Sequence, residues 1–307
     1  MNNNYNIADI SESFWKNGYV HLKKVFNPVE LKALRKKVLL MKSSKNIYNK
    51  GKRDLMLNKE ISKFLLDDRL LEIVNIILGD VPIYFGDSSF TVYEAHESVG
   101  KYHKDCTDRL DPKAPDWQGE YPLLRVGFLL QNHKKQSGGI LLGKESHNIL
   151  FRNKTLQILY EEVFGWIFGK FKHIESEIGD LVIWNLRTTH APMGKYFKFF
   201  FKIPISERLS RVIPRFLQKT FKGKRCLVQI TFALKSNHLD RYINYLKTRD
   251  YQINKWKNSK YTKANLKIFA SKKVKLLNMN KSIINEISKG LIKSEKKWKP
   301  FDYNKAN

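Results

Sequence analysis

Cysteine is scarce in this chain. Cys106 and Cys226 are the only two, far apart and in no Cys-x-x-Cys pair. That argues against a disulfide scaffold or a zinc knuckle, and both thiols read as small packing residues beside the core. Long apolar runs are missing as well: no stretch reaches the roughly 18 residues that a membrane-spanning helix needs. The opening Met1-Asn2-Asn3-Asn4-Tyr5-Asn6 is polar and lacks the basic-then-apolar order of a signal peptide. The expected location is therefore cytoplasmic. Acidic residues are few, 29 Asp and Glu against 57 Lys and Arg, which leaves a formal charge of +28. Such an excess invites a polyanionic partner. The lysines are spread over most of the chain, however, amid much Asn and Ile, and no RNA-binding or helix-turn-helix signature accompanies them. Nucleic acid is not the expected partner. No internal repeat occurs, and Ser137-Gly138-Gly139 reads as a turn, because no helical pattern follows it to make a phosphate cradle.

What is present suits a globular protein. The 307 residues are 42% hydrophobic, enough for one large domain or a domain with an appendage. Residues 11–17 read as a short helix and Gly18-Tyr19-Val20-His21-Leu22 as a strand. Asn27-Pro28-Val29-Glu30 is a helix start, with a capping Asn, Pro at the first helical position and an early acid. Leu31, Leu34, Val38 and Leu39 continue that helix, residues 43–58 read as a loop, and a second amphipathic helix is predicted over about 60–78, closing at Gly79. Short β-like runs follow at 83–85, 89–95, 123–131, 139–142, 174–177, 181–185 and 226–234, separated by turn residues. Helices first and then many short strands predict an α+β chain whose β part is a sandwich or jelly roll.

One pattern carries chemistry. His103-Lys104-Asp105 is followed 87 positions later by His190. Side chains two apart on a strand leave the same face, so His103 and Asp105 can converge on one ion. Two imidazoles and one carboxylate can occupy one face of an octahedral Fe(II) and leave the opposite face open. His190 lies just past Gly179-Asp180-Leu181-Val182-Ile183-Trp184-Asn185, a turn followed by a buried-strand pattern. Thr188 and Thr189 stand where hydroxyls can orient its ring. His147 is the rival third ligand. His96 and His133 are assigned no role. Asp108 is expected to bond nearby backbone. Gln131 reads equally as a pocket residue or a packing residue.

These residues lie in an order that resembles the phytanoyl-CoA dioxygenase family of Fe(II)/2-oxoglutarate oxygenases. Asn17-Gly18-Tyr19-Val20 and the helix start at Asn27 are similar to that family's opening. The run from Leu124 to His133, then Ser137-Gly138-Gly139 and Gly143-Lys144-Glu145-Ser146-His147, resembles its central strand, glycine turn and Gly-Ser-His corner. The likeness spans about residues 10–236. It implies a double-stranded β-helix (jelly-roll, cupin-like) core with N-terminal helices packed on it. It implies Fe(II) on His103, Asp105 and His190, with 2-oxoglutarate as cosubstrate and O2 as oxidant. The implied reaction is hydroxylation of a small-molecule or acyl/lipid-linked substrate. A family arginine holds the far carboxylate of 2-oxoglutarate, a task that suits a planar guanidinium. Arg225, heading the run Cys226-Leu227-Val228-Gln229-Ile230-Thr231-Phe232, matches that position, with Lys202, Arg211 and Arg215 as runners-up. It departs from the family in lying 35 residues after His190, a much longer gap than the family shows.

The expected layout is an oxygenase domain over 1–236, with insertions at about 151–172 and 195–224, and a basic tail over 237–307 that is helical to partly disordered. Both insertions are aromatic and basic. Three readings stay open for them: core or lid packing, a lid over a hydrophobic or lipid-linked substrate, and peripheral membrane contact. The competing reading of the whole chain is a non-catalytic jelly-roll binding protein that docks on an anionic partner through its tail.

Overall fold

A computed structural model of the chain describes residues 7–43, 52–94, 100–109, 111–133, 139–199 and 204–292. Helix α1 (Ile7–Asn17) leads through Gly18, at φ 82°, into strand β1 (Tyr19–Leu22). Helix α2 (Pro28–Ser43) starts as its sequence dictates. The Asn27 side chain accepts from Val29 N–H, and Glu30 reaches back to Asn27 N–H. Its buried stripe is Leu31, Leu34, Val38 and Met41. The single helix predicted over about 60–78 is two helices, α3 (Lys59–Leu65) and α4 (Asp68–Leu78). Leu66 leaves helical geometry, and the Asp67 carboxylate caps a new start by accepting from Arg69 N–H. Gly79, at φ 73°, closes α4 as expected.

The strands then follow in order. They are β2 (Ile83–Tyr84), β3 (Ser88–Glu94), β4 (Leu123–Leu129) and β5 (Ile140–Gly143). A helical insertion comes next, made of α5 (Lys154–Leu159), a π-turn over Tyr160–Phe164 and α6 (Gly165–Ile167). After it come β6 (Phe171–Ile174), β7 (Leu181–Asn185), β8 (His190–Pro192) and β9 (Lys195–Phe197). Helix α7 (Glu207–Val212), β10 (Gln218–Thr220) and β11 (Lys224–Ala233) complete this part. Strand β6 begins three residues before the predicted run, because Phe171 is buried against Tyr102 and Tyr160. The short pair β9–β10 lies inside the second insertion and carried no strand signal.

The larger sheet has the order β1-β7-β4-β11-β2, with β3 also paired to β11, and all of these pairings are antiparallel. The smaller sheet, β6-β5-β8, is antiparallel too. Leu129, Trp184 and Leu227 from the larger sheet share one buried cluster with Ile140, Leu142 and Ile174 from the smaller, so the two sheets pack face to face. The alternate residues of the larger sheet, among them Phe128, Val228 and Ile230, pack against α1 to α4 in the main core. The coarse expectation of an α+β chain with antiparallel sheets is met.

The tail packs back onto this body. It contains α8 (Asn237–Leu246), α9 (Asp250–Lys257), α10 (Lys263–Ser271), β12 (Lys275–Leu276) and α11 (Met279–Ser288). Strand β12 adds to β2 in parallel at the sheet edge. Trp256 is fully enclosed and its indole N–H donates to Phe85 O at 2.7 Å. Composition alone made the stretch from 259 look polar and partly disordered. Phe269, Met279 and Ile283 from this stretch are nonetheless buried, and each sits on a helix. Residues 293–307 lie outside the described residues. Among the described residues no helix is long and apolar enough to cross a membrane.

Candidate metal centre

The segment from His103 to Cys106 is laid against the chain just before and within β8. His103 and His190 exchange backbone hydrogen bonds at 3.0 and 2.9 Å, and Asp105 N–H and Cys106 N–H both donate to Leu186 O. This pairing brings together side chains that are distant in sequence. One nitrogen from each of His103 and His190 and one Asp105 oxygen all lie within 4.8 Å of one another, and the two imidazole centroids are 4.2 Å apart.

Hydrogen bonding fixes the imidazoles. His103 Nδ1 is 2.9 Å from Lys101 O, and His190 Nδ1 is 3.0 Å from Thr188 O. A carbonyl oxygen only accepts, so each Nδ1 carries the proton and each Nε2 keeps a lone pair. Both Nε2 atoms point to Asp105, at 4.0 Å from Oδ1 for His103 and 3.5 Å from Oδ2 for His190. The orienting group on His190 is therefore the Thr188 carbonyl and not a hydroxyl. The Thr188 hydroxyl donates instead to Gly18 O, and Thr189 Oγ1 has no partner among the described residues.

Charge state suits metal binding. Desolvation, then the neighbouring His103, pushes His190 down to about 3, against the pull of Asp105. Desolvation also lowers His103. For Asp105, burial acts to raise the carboxyl, but Arg125 and the two imidazoles overcome it and hold it well below the usual carboxylate range. At neutral pH the cluster is two neutral imidazoles and one carboxylate, a donor set that a divalent cation needs deprotonated.

Arg125 is the residue that sequence reasoning missed. It donates to Asp105 Oδ2 at 2.8 Å, to Asp87 Oδ2 at 3.0 Å, to Thr231 Oγ1 at 3.1 Å and to Tyr242 Oη at 3.1 Å. One guanidinium thus ties the candidate ligand to the turn before β3, to β11 and to the tail helix α8. A signal was present: Arg125 is the single charge inside the apolar strand Leu123–Leu129, and a charge there must be paired.

Arg225 is buried on β11 and donates from Nε to Gly139 O at 3.3 Å. Its parity is that of Leu227 and Thr231, so it faces the space between the sheets, six residues along the strand from the Thr231–Arg125 level. Among the described residues no carboxylate pairs with it, and desolvation lowers it to about 10. The runners-up are placed differently: Arg211 and Arg215 are exposed, and Lys202 lies outside the described residues.

The remaining candidates have structural partners. His147 Nε2 bonds Trp15 O at 2.9 Å, which turns it toward α1 and away from the cluster. Gln131 accepts from Arg35 and from Cys226 N–H and contacts His133, so it locks α2 to β11. Asp108 accepts from Asp116 N–H and from Arg241. Cys106 and Cys226 are buried and unpaired, with burial raising both thiols to about 12. His96 lies outside the described residues.

No protein-family profile matches the chain, and no curated protein sequence matches it. Solved structures do resemble it in fold. HygX from Streptomyces hygroscopicus, with nickel and 2-oxoglutarate bound, is 17% identical over 72% of this chain and 83% of its own, at a TM-score of 0.50. The epimerase SnoN, in complex with Fe3+, alpha ketoglutarate and nogalamycin RO, is 12% identical over 74% of this chain and 83% of its own, also at 0.50. The chain therefore shares the fold of enzymes that bind a transition metal together with 2-oxoglutarate.

Proposed function

We propose that this chain is an Fe(II)- and 2-oxoglutarate-dependent oxygenase with a jelly-roll core, similar to the phytanoyl-CoA dioxygenase family. His103, Asp105 and His190 are its metal ligands, and Arg225 binds the far carboxylate of 2-oxoglutarate. One observation carries the reading: two imidazoles oriented by backbone carbonyls turn their free Nε2 atoms toward a single carboxylate, all within 4.8 Å. A 2-His-1-carboxylate set on three corners of an ion is the donor arrangement of non-heme iron oxygenases. Bound there, Fe(II) supplies O2 activation coupled to conversion of 2-oxoglutarate to succinate and CO2, and with it oxidation of an unactivated C–H bond.

The chain's own residues do the positioning. The Lys101 and Thr188 carbonyls hold the two rings in one tautomer. Arg125 grips Asp105 Oδ2 and bridges it to Asp87, which also lies 3.9 Å from Lys255. Arg225 offers a buried guanidinium at a second level between the sheets. The substrate class in this reading is a small molecule or an acyl- or lipid-linked group, and hydroxylation is the expected outcome. Calorimetry with Ni(II) as a redox-inert stand-in tests the reading. In the wild type 2-oxoglutarate should bind only when metal is present, and His190→Ala should lose that metal-dependent binding. Equal 2-oxoglutarate binding with and without metal would overturn it.

A further inference from the structure

The first insertion buries one aromatic face and leaves a second apolar ridge in water. Along α5, the π-turn and α6, the side chains of Leu156, Leu159, Val163, Phe164, Ile167 and Phe168 are exposed, with Ile167 at 70% and Phe168 at 68%. The inward face carries Tyr160, Gly165 and a half-buried Trp166 stacked on Phe171, together with Glu161. Glu161 accepts from Gln157, and Arg208 of the second insertion lies 3.6–3.7 Å from Glu161 and Glu162. A surface helix normally buries its apolar stripe and presents its charges.

Packing fixes this orientation. A Cβ on Gly165 would collide with the ring of Phe171, so the helix sits flush on the smaller sheet and cannot roll its apolar ridge inward. The π-turn inserts an extra residue in the middle of the segment. Phe164 and Phe168, one helical turn apart, both lie on the outside with their rings stacked.

The two insertions are basic in sequence, with thirteen Lys and Arg against three Glu. Lys170, Arg208, Arg211 and Lys224 are paired with Glu145, Glu161 and Glu162, Glu207 and Glu94, which leaves an excess of cations over partners. The neighbouring insertion adds exposed Phe199, Val212 and Phe216 beside Lys198, Arg211 and Arg215.

We propose that this ridge docks on the surface of an anionic phospholipid bilayer, the apolar side chains entering the headgroup boundary and the basic residues pairing with lipid phosphates and carboxylates. Apolar and aromatic side chains within a cationic surround are the signature of an interfacial anchor. A second copy of the chain suits the ridge poorly, because it would oppose two such cationic surrounds in proteins of charge +28. The inference is independent of the oxygenase reading.

The test is co-sedimentation of the full chain, at physiological ionic strength, with vesicles of phosphatidylcholine alone and of equal parts phosphatidylcholine and phosphatidylserine. Binding is expected to the mixed vesicles and to be at least severalfold weaker to the neutral ones. The double substitution Ile167→Ser with Phe168→Ser leaves the charge unchanged and should weaken the partition by at least about tenfold, since two large apolar side chains no longer leave water. His190→Ala should bind as wild type, which separates this inference from the metal site. Three results would overturn the proposal. They are no wild-type binding, serine variants that bind as tightly as wild type, and a wild-type dimer that the serine pair dissociates.

Discussion

Replacing Arg125 with leucine removes the cation that contacts both Asp105 and Asp87. In the intact protein its guanidinium contacts both carboxylates, at 2.8 and 3.0 Å, and the three side chains are only 11–14% exposed. Deleting one partner of a buried ion pair leaves an uncompensated charge and costs about 3–5 kcal/mol. Asp87 keeps Thr231 and sits 3.9 Å from Lys255, so most of the penalty falls on Asp105. The pH dependence follows from the sign of its shift. In the wild type the folded-state carboxyl is depressed, so its stabilisation is present above the unfolded value of about 3.9 and is lost as pH falls through the folded value. Without Arg125 the burial that raises Asp105 is opposed only by weaker neighbours, so the variant's penalty grows as pH rises above about 3.9. Urea unfolding of the metal-free protein should therefore show a gap of about 3–5 kcal/mol at neutral pH that shrinks steadily toward pH ~4. Adding Asp105→Asn to the leucine variant should restore part of the loss. A neutral-pH gap below about 1 kcal/mol, or one that does not narrow in acid, would refute the argument that Arg125 and Asp105 are a coupled buried pair.

Other substitutions probe the remaining parts of the account. Arg225→Ala should leave metal affinity intact and weaken 2-oxoglutarate by about 100-fold or more, the usual cost of deleting one side of a buried charge pair, as read by calorimetry. His147→Ala should lose stability through its bond to Trp15 O while binding metal as wild type in an equilibrium titration. Asp180→Asn should destabilise the β1–β7 edge by about 1–3 kcal/mol, because that carboxylate accepts from Lys24 N–H and Glu177 N–H and pairs with His21. Burial raises the Asp180 carboxyl, but these bonds depress it overall, so the deficit should be present above about pH 3.9 and fade as pH falls through the folded value, in pH-dependent melting.

Much of this was legible because it was local. The two-residue step of His103 and Asp105, the Asn27 helix start and the β7 run are each decided by near neighbours in the sequence. His190 could be proposed because it follows a recognisable buried strand. The split at Leu66 was missed because the apolar spacing runs on through it, and only the Asp67 cap marks the new helix. Strand β8 was missed because three residues hold no periodicity. Arg125 was overlooked because its meaning lies in partners from four separated segments, Asp87, Asp105, Thr231 and Tyr242. The tail was underrated for a similar reason. Its Lys-rich composition hides long-range partners: Tyr242 reaches Arg125 behind the candidate metal centre, and Trp256 donates to Phe85 O.

The most direct measurement on the central claim is anaerobic absorption spectroscopy. Fe(II) and then 2-oxoglutarate are added to the metal-free protein while the visible region is monitored for the weak metal-to-ligand charge-transfer band of a chelated 2-oxo acid. The band should appear in the wild type and in His147→Ala and be absent in His103→Ala and His190→Ala. A wild-type protein that gives no band, or alanine variants at His103 and His190 that keep it, would contradict the assignment.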